Sequence, residues 1–218
     1  MSLVASARMY SWSPSLAAAW RRLLAAPVPS PSRYGQRAVY VTDFIVRAGS
    51  PYTRLEETFG KTIAYSTEHS HSGYNAPRHH LLAYRTRERR TLYGSVLGPL
   101  VRQRPVLDAV VEGRADVAID GYALDLLRRH APDVAARVRV IDTTIPAPSA
   151  PLVATPGASK ETCDALAAAL VEAHTVPELR PTLDELLLSR FVRVEPRDFD
   201  IFLERERAAE AAGYAKLA

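Results

Sequence analysis

Branched and aromatic runs alternate with amphipathic stretches along the whole of this chain. The densest run, 38–47 (AVYVTDFIVR), predicts a strand, because branched side chains pack well on a pleated, half-buried surface. Shorter runs predict strands at 4–10, 61–65, 115–119, 137–141 and 152–154. Between them lie helical patterns. Ser13 as N-cap and Pro14 at the first helical position predict a helix through Trp20 to about Ala26. Others are predicted from Ser72 through Leu82 to about Arg87, over 106–112 up to Gly113, and over 121–130 up to Pro132. A long helix is expected from the Ser159 cap to Ala173, and the tail after Pro181 reads as mostly helical. Strands and helices in alternation predict an α/β fold with a largely parallel sheet.

Prolines punctuate the pattern twice. Pro27, Pro29 and Pro31 predict a loop over 27–32, since alternating prolines deny both helix and ladder bonds. Pro146, Pro148 and Pro151 mark a second proline-rich crossing. The strand at 38–47 leads into a self-contained α/β block, 47–145, and 146–151 leads out of it. Residues 1–46 and 146–218 together form the other lobe in this reading. A block inserted between two crossing strands is the wiring of hinge-bending, two-lobed binders.

Composition narrows the classes. The 218 residues give room for one large domain or two small lobes. No apolar run approaches the roughly 18–20 residues that cross a bilayer, so membrane insertion is not expected. The apolar segment 15–26 is interrupted by Arg21 and Arg22 and lacks a cleavage site, which makes it a poor signal peptide. Localisation stays open: periplasmic if a leader has been removed, cytoplasmic otherwise. Cys163 is the single cysteine, so neither an intramolecular disulfide nor a cysteine-rich metal site is expected, and the thiol reads as inert and buried or half-buried. The formal net charge of +4 favours an anionic partner. Its arginines are scattered rather than gathered in a patch, and no nucleic-acid partner is expected.

The chemistry concentrates in 65–80, YSTEHSHSGYNAPRHH, which follows a strand and reaches Gly73 where a helix begins. The first N–H groups of a helix have no intrahelical partner, and its dipole places partial positive charge there. Ser70 and Ser72 add hydroxyl donors, and Gly73 lets a ligand approach the backbone. These features suit an anion cradle, and equally suit simple N-capping by Ser70 or Ser72. His69, His71, His79 and His80 raise a metal site, but adjacent His79 and His80 point about 100° apart on a helix. No metal and no cofactor are expected. Ser70, His71 and Asp120 supply the residue types of a catalytic triad, yet Ser70 and His71 lie in a capping loop. Of the three lysines, Lys61, Lys160 and Lys216, none is poised as a nucleophile, so binding rather than catalysis is expected.

Ser70, His71, Ser72, Gly73, Tyr74, Asn75, Ala76 and Pro77 resemble the S-x-S-G-Y-x-x-P motif of the phosphate/phosphite/phosphonate-binding proteins of ABC importers. Residues 40–51 (YVTDFIVRAGSP), followed by Leu55 and Phe59, Gly60 and Lys61, resemble that family's Y-x-S-x-x-I-V-x-x-x-S-P…L…L-x-G-K run. Residues 110–122 (VVEGRADVAIDGY) resemble its V…G-x-A-D-V-A-x-x-D strand, and the three motifs occur in the family's order. The resemblance implies a type II periplasmic-binding-protein-like α/β fold of two lobes with the ligand cleft between them. It implies reversible binding of a small oxyanion, phosphonate- or phosphate-like, and an ABC permease as partner. By position it implies that Ser70, His71, Ser72, Gly73 and Tyr74 hold the anion. His71 departs from the small hydroxyl residue commoner at its position and offers a ring N–H, or charge when protonated. Tyr40 matches the aromatic residue that flanks the ligand at the first crossing. Asp120 matches the carboxylate or amide that reads an amino group, a role compatible with capping the next helix. Tyr122 and Tyr10 are further aromatic candidates, equally readable as packing. The chain departs from the family in lacking a strand–helix block ahead of Tyr40, which implies either a first lobe shortened near 20–26 or a stretch missing from the sequence near Arg22–Leu24. A cytoplasmic ligand sensor, or a small-molecule enzyme on the same scaffold, is the alternative use of such a cleft.

Overall fold

The computed structural model describes residues 23–155 and 157–217. The predicted strand at 4–10 and the start of the first predicted helix lie outside these residues. The described strands are β1 (Leu23–Pro29), β2 (Val39–Tyr40), β3 (Asp43–Arg47), β4 (Thr62–Ala64) and β5 (Ser95–Leu97), followed by β6 (Val117–Asp120), β7 (Val138–Thr143), β8 (Ala147–Pro148), β9 (Leu152–Val153) and β10 (Leu188–Val192). The α-helices are α1 (Ala76–Leu81), α2 (Gln103–Val111), α3 (Ala123–His130), α4 (Pro132–Ala135), α5 (Lys160–Glu172), α6 (Arg180–Glu185) and α7 (Asp200–Ala211). The chain divides into two compact units: Met1–Tyr40 with Ala147–Ile201, and Val41–Pro146 with Phe202–Ala218. The sequence reading drew its boundaries at 46/47 and 145/146 and kept the whole tail in the first lobe.

In the first unit β1 lies between β10 and β9, antiparallel to both. Leu23 to Ala26 are thus strand rather than the end of the predicted helix, and the strand continues through Pro27 and Pro29 where a loop was expected. β9 pairs with Leu23 and Ala25, whereas Pro27 and Pro29 face Phe191 and Leu188 of β10. The prolines therefore fall where the strand is paired on one side, the setting in which a missing N–H leaves a ladder intact. Helix α5 begins as predicted, the Ser159 hydroxyl accepting the Thr162 N–H at 3.1 Å. It buries Ala167 against Leu24 and Ala154, with Cys163 partly buried beside them.

The second unit holds a five-stranded sheet in the order β5-β4-β6-β3-β7. β4 is parallel to β5 and β6, whereas β3 runs antiparallel to β6 and β7. The expected parallel sheet is therefore mixed, because the strand entering from the first unit runs against those built inside the block. The predicted strand 38–47 is also interrupted. The Thr42 N–H donates to the Thr144 hydroxyl at 3.0 Å instead of to a ladder carbonyl.

Period-two alternation fills both faces of this sheet. Phe44, Val46, Ile63, Val117 and Ile119 pack with Leu81, Tyr74, Tyr214 and Leu217 on one face. Ile45, Ala64 and Ala118 pack with Val106, Leu107, Val110 and Leu124 on the other. Tyr214 and Leu217 anchor the end of the C-terminal segment in this core.

Candidate functional site

β4 runs out at Ala64 into Tyr65 and Ser66, and the chain turns through Thr67–His69 to Ser70. Ser70 is extended, and its hydroxyl accepts the Gly73 N–H at 2.9 Å, capping the helical stretch that follows. The first turn, His71–Asn75, is π-helical and passes into α1, with the Asn75 N–H donating to the Ser70 carbonyl at 3.1 Å. Gly73 is required here: a Cβ would lie 2.0 Å from the Ser66 hydroxyl and 3.1 Å from that of Ser70. The Ser72 hydroxyl sits 3.4 Å from that of Ser70, and both residues are half-buried. A Cβ on Gly121 would come within 3.3 Å of Ser72, so the end of β6 closes on this turn. The Thr42 hydroxyl donates to the Ser72 carbonyl at 3.0 Å. The ends of β4, β6 and β7 and the start of β3 thus meet the turn at the carboxyl edge of the parallel strands, where open α/β sheets place ligands.

Asp120 ends β6 fully buried. Its Oδ2 accepts the Leu124 N–H at 2.8 Å, and its Oδ1 has no hydrogen-bond partner among the described residues. Across the strand pair it faces Asp43, also buried, whose Oδ1 accepts the Thr143 hydroxyl at 2.7 Å. Burial, with the nearby Asp43 and Asp125 charges, pushes the Asp120 carboxyl up to about 7, against the pull of the Leu124 hydrogen bond.

The other sequence candidates are placed differently. His71 is buried, its ring 4.0 Å from that of Phe202. Burial first, then the Arg205 and His79 charges, push its pKa down to about 3, so it is neutral at physiological pH and carries no charge to an anion. Tyr74 is a core residue, 5.0 Å from the Tyr65 ring. Tyr122 stands half-buried at the N-cap of α3, its phenol raised by burial and then by Asp125. Tyr40 belongs to the first unit, buried in β2 opposite Ala147 of β8. Tyr10 lies outside the described residues. His80 Nε2 donates to Asp142 at 2.8 Å, a carboxylate that also accepts the Tyr84 hydroxyl at 3.0 Å. Among the described residues no three His, Cys, Asp or Glu side chains are grouped to hold a metal, and no helix is long and apolar enough to cross a membrane. Sequence reasoning missed Ser66, Thr42 and Asp43. A polar pair opening an otherwise apolar strand, Thr42 and Asp43 before Phe44, was the available signal.

With this geometry in view, comparison is informative. The family described as the periplasmic substrate-binding protein of ABC phosphonate transporters matches residues 16–199. The chain belongs to that family. Its members are substrate-binding components and not enzymes. No curated protein matches the chain. Among solved structures it is similar to a binding protein component of an ABC phosphonate transporter from Pseudomonas aeruginosa (TM-score 0.74, 18% identity), over 88% of this chain and 63% of that one. It is similar also to PhnD1 of Prochlorococcus marinus, solved with methylphosphonate (TM-score 0.68, 13% identity), over 90% of this chain and 75% of that one. A Xanthomonas citri protein solved with ATP is a third likeness (TM-score 0.57, 24% identity), over 87% and 72%. These likenesses give the fold: two-lobed, of the periplasmic-binding-protein type. The chain spans about 63% of the length of the Pseudomonas protein.

Proposed function

We propose that this chain is the solute-binding component of an ABC importer for a small oxyanion of phosphonate or phosphate type, delivered to a permease. The observation that carries the reading is the Ser70–Ser72 turn. Ser70 Oγ accepts the Gly73 N–H and shares a 3.4 Å hydrogen bond with the Ser72 hydroxyl, so one hydroxyl proton of the pair is left for a ligand oxygen. Hydroxyl donors at a helix start, aided by the dipole, hold an anion without a full positive charge. In this reading Asp120 faces the remainder of the ligand, and Tyr40 is the aromatic position that the family motif assigns to it. The methylphosphonate held by the Prochlorococcus relative supports the same ligand class.

A thermal-shift panel of methylphosphonate, 2-aminoethylphosphonate, phosphate, phosphite, sulfate and small carboxylates tests this. A ligand at 100 times its dissociation constant stabilises the folded chain by about 2.7 kcal/mol, readily seen as a raised Tm. A rise confined to phosphorus oxyanions is the expected result. A flat response across the panel would sink the proposal and leave Ser70 as a structural cap.

A further inference from the structure

The turn that carries Ser70 and Ser72 is backed by the C-terminal helix α7. A π-helical turn is rare, and occurs mostly as a single turn, frequently at a functional site. Here the contacts are specific. The Asn75 side chain donates to the Phe202 carbonyl at 3.0 Å and accepts from the Arg78 guanidinium at 3.0 Å. Arg78 in turn donates to the Ala215 carbonyl at 2.7 Å. The His71 ring, between the two serines in sequence, lies on the Phe202 ring at 4.0 Å with the planes 32° apart. Arg205, on the same helix, donates to the Pro146 carbonyl at 2.8 Å. His71 is buried whereas Ser70 and Ser72 on either side of it are half-buried, so pinning His71 inward leaves its neighbours on other faces of the turn.

We infer that Phe202 is a positioning residue for the anion-binding turn: its ring and carbonyl clamp His71 and Asn75, and so fix the Ser70 and Ser72 hydroxyls in donor geometry. This rests on the reading of that turn as the oxyanion site. The motif residue His71 then serves from behind, as the anchor of the turn rather than as a ligand donor.

The test compares wild type with Phe202→Ala, Phe202→Tyr and Asn75→Ala, using methylphosphonate, phosphate and sulfate as probes by calorimetric titration at pH 8, where His71 is neutral in every variant. Phe202→Ala is expected to bind at least tenfold more weakly, and Phe202→Tyr, which keeps the ring, to return within about threefold of wild type. Leu107→Ala, in the cluster on the sheet's opposite face, supplies a destabilised control that keeps wild-type affinity. An independent readout is the His71 ring by NMR titration. In wild type it stays neutral through pH 5, with Arg205 from α7 and His79 from its own helical segment facing it. In Phe202→Ala the loss of cover should raise its pKa towards the ordinary imidazole value of about 6.5. Wild-type affinity in Phe202→Ala, or an unmoved His71 titration, would overturn the clamp. Should Phe202→Ala fail to fold, Asn75→Ala decides by the same affinity readout, an unchanged value overturning the inference. If wild type binds none of the probes, the functional reading fails, and the His71 titration alone then decides whether the clamp exists.

Discussion

Asp120 ties the site to the stability of the fold. Its carboxyl is raised to about 7 chiefly by burial, from an ordinary value near 3.8. For an acid whose folded pKa is raised, the native state holds the proton longer than the unfolded one. The cost is absent below pH 4, grows as pH rises towards 7, and is complete above it. Three pH units correspond to on the order of 4 kcal/mol. Asp120→Asn keeps the shape and an oxygen for the Leu124 N–H while removing the charge. Calorimetric melts are therefore expected to match wild type near pH 3.5 and to lie several degrees above it at pH 8. An equal difference at both pH values would contradict the assignment. The motif residues here were legible because hydroxyl spacing ahead of a glycine is a local signal. The Asp43–Asp120 juxtaposition was not, since it depends on a strand register that joins residues far apart in sequence. The inward turn of His71 was hidden for the same reason: its partner, Phe202, comes from the other end of the chain.

At the scale of elements, the β4–α1 connection works as one piece. A Cβ at position 73 would collide with the Ser66 hydroxyl, 2.0 Å away. Gly73→Ala should cost about 1–3 kcal/mol in urea unfolding and weaken oxyanion binding, as overpacking shifts backbone. Adding Ser66→Gly should restore much of both, and failure to restore either would mean that the contact does not govern the turn. The C-terminal segment is a second such piece. Leu217 is fully buried in the core cluster of the second unit. Leu217→Ala should cost about 2–5 kcal/mol by the same unfolding assay, whereas a cost near zero would detach the tail from that core. The sequence pattern found the helix cap at Ser159, narrowed the other to Ser70 or Ser72, and found the strands at β4, β6, β7 and β9, all local in origin. It misread Leu23–Pro29, where single-sided pairing lets a strand absorb prolines that otherwise signal a loop.

Across the whole molecule, the chain passes between its two units at Tyr40/Val41, at Pro146/Ala147 and again at Ile201/Phe202. The first two passages were legible from a β-rich run and a proline-rich one. The third was not, because a helix that changes allegiance partway carries no break in its amphipathic pattern. In the proposed function this wiring has a functional sense: the Ser70–Ser72 turn lies in the second unit, and the third passage brings Phe202 to it.

The central claim is that Ser70 and Ser72 hold a phosphorus oxyanion, and the most direct measurement is calorimetric titration of methylphosphonate into wild type and Ser72→Asp. A carboxylate at position 72 would face the anion with like charge at close range, where a hydrogen bond to a charged group had contributed about 1.5–3 kcal/mol. The account predicts measurable binding in wild type and its loss by at least a hundredfold in Ser72→Asp, with the variant's secondary structure unchanged by circular dichroism. Equal affinity in the two proteins would contradict it and move the oxyanion site away from this turn.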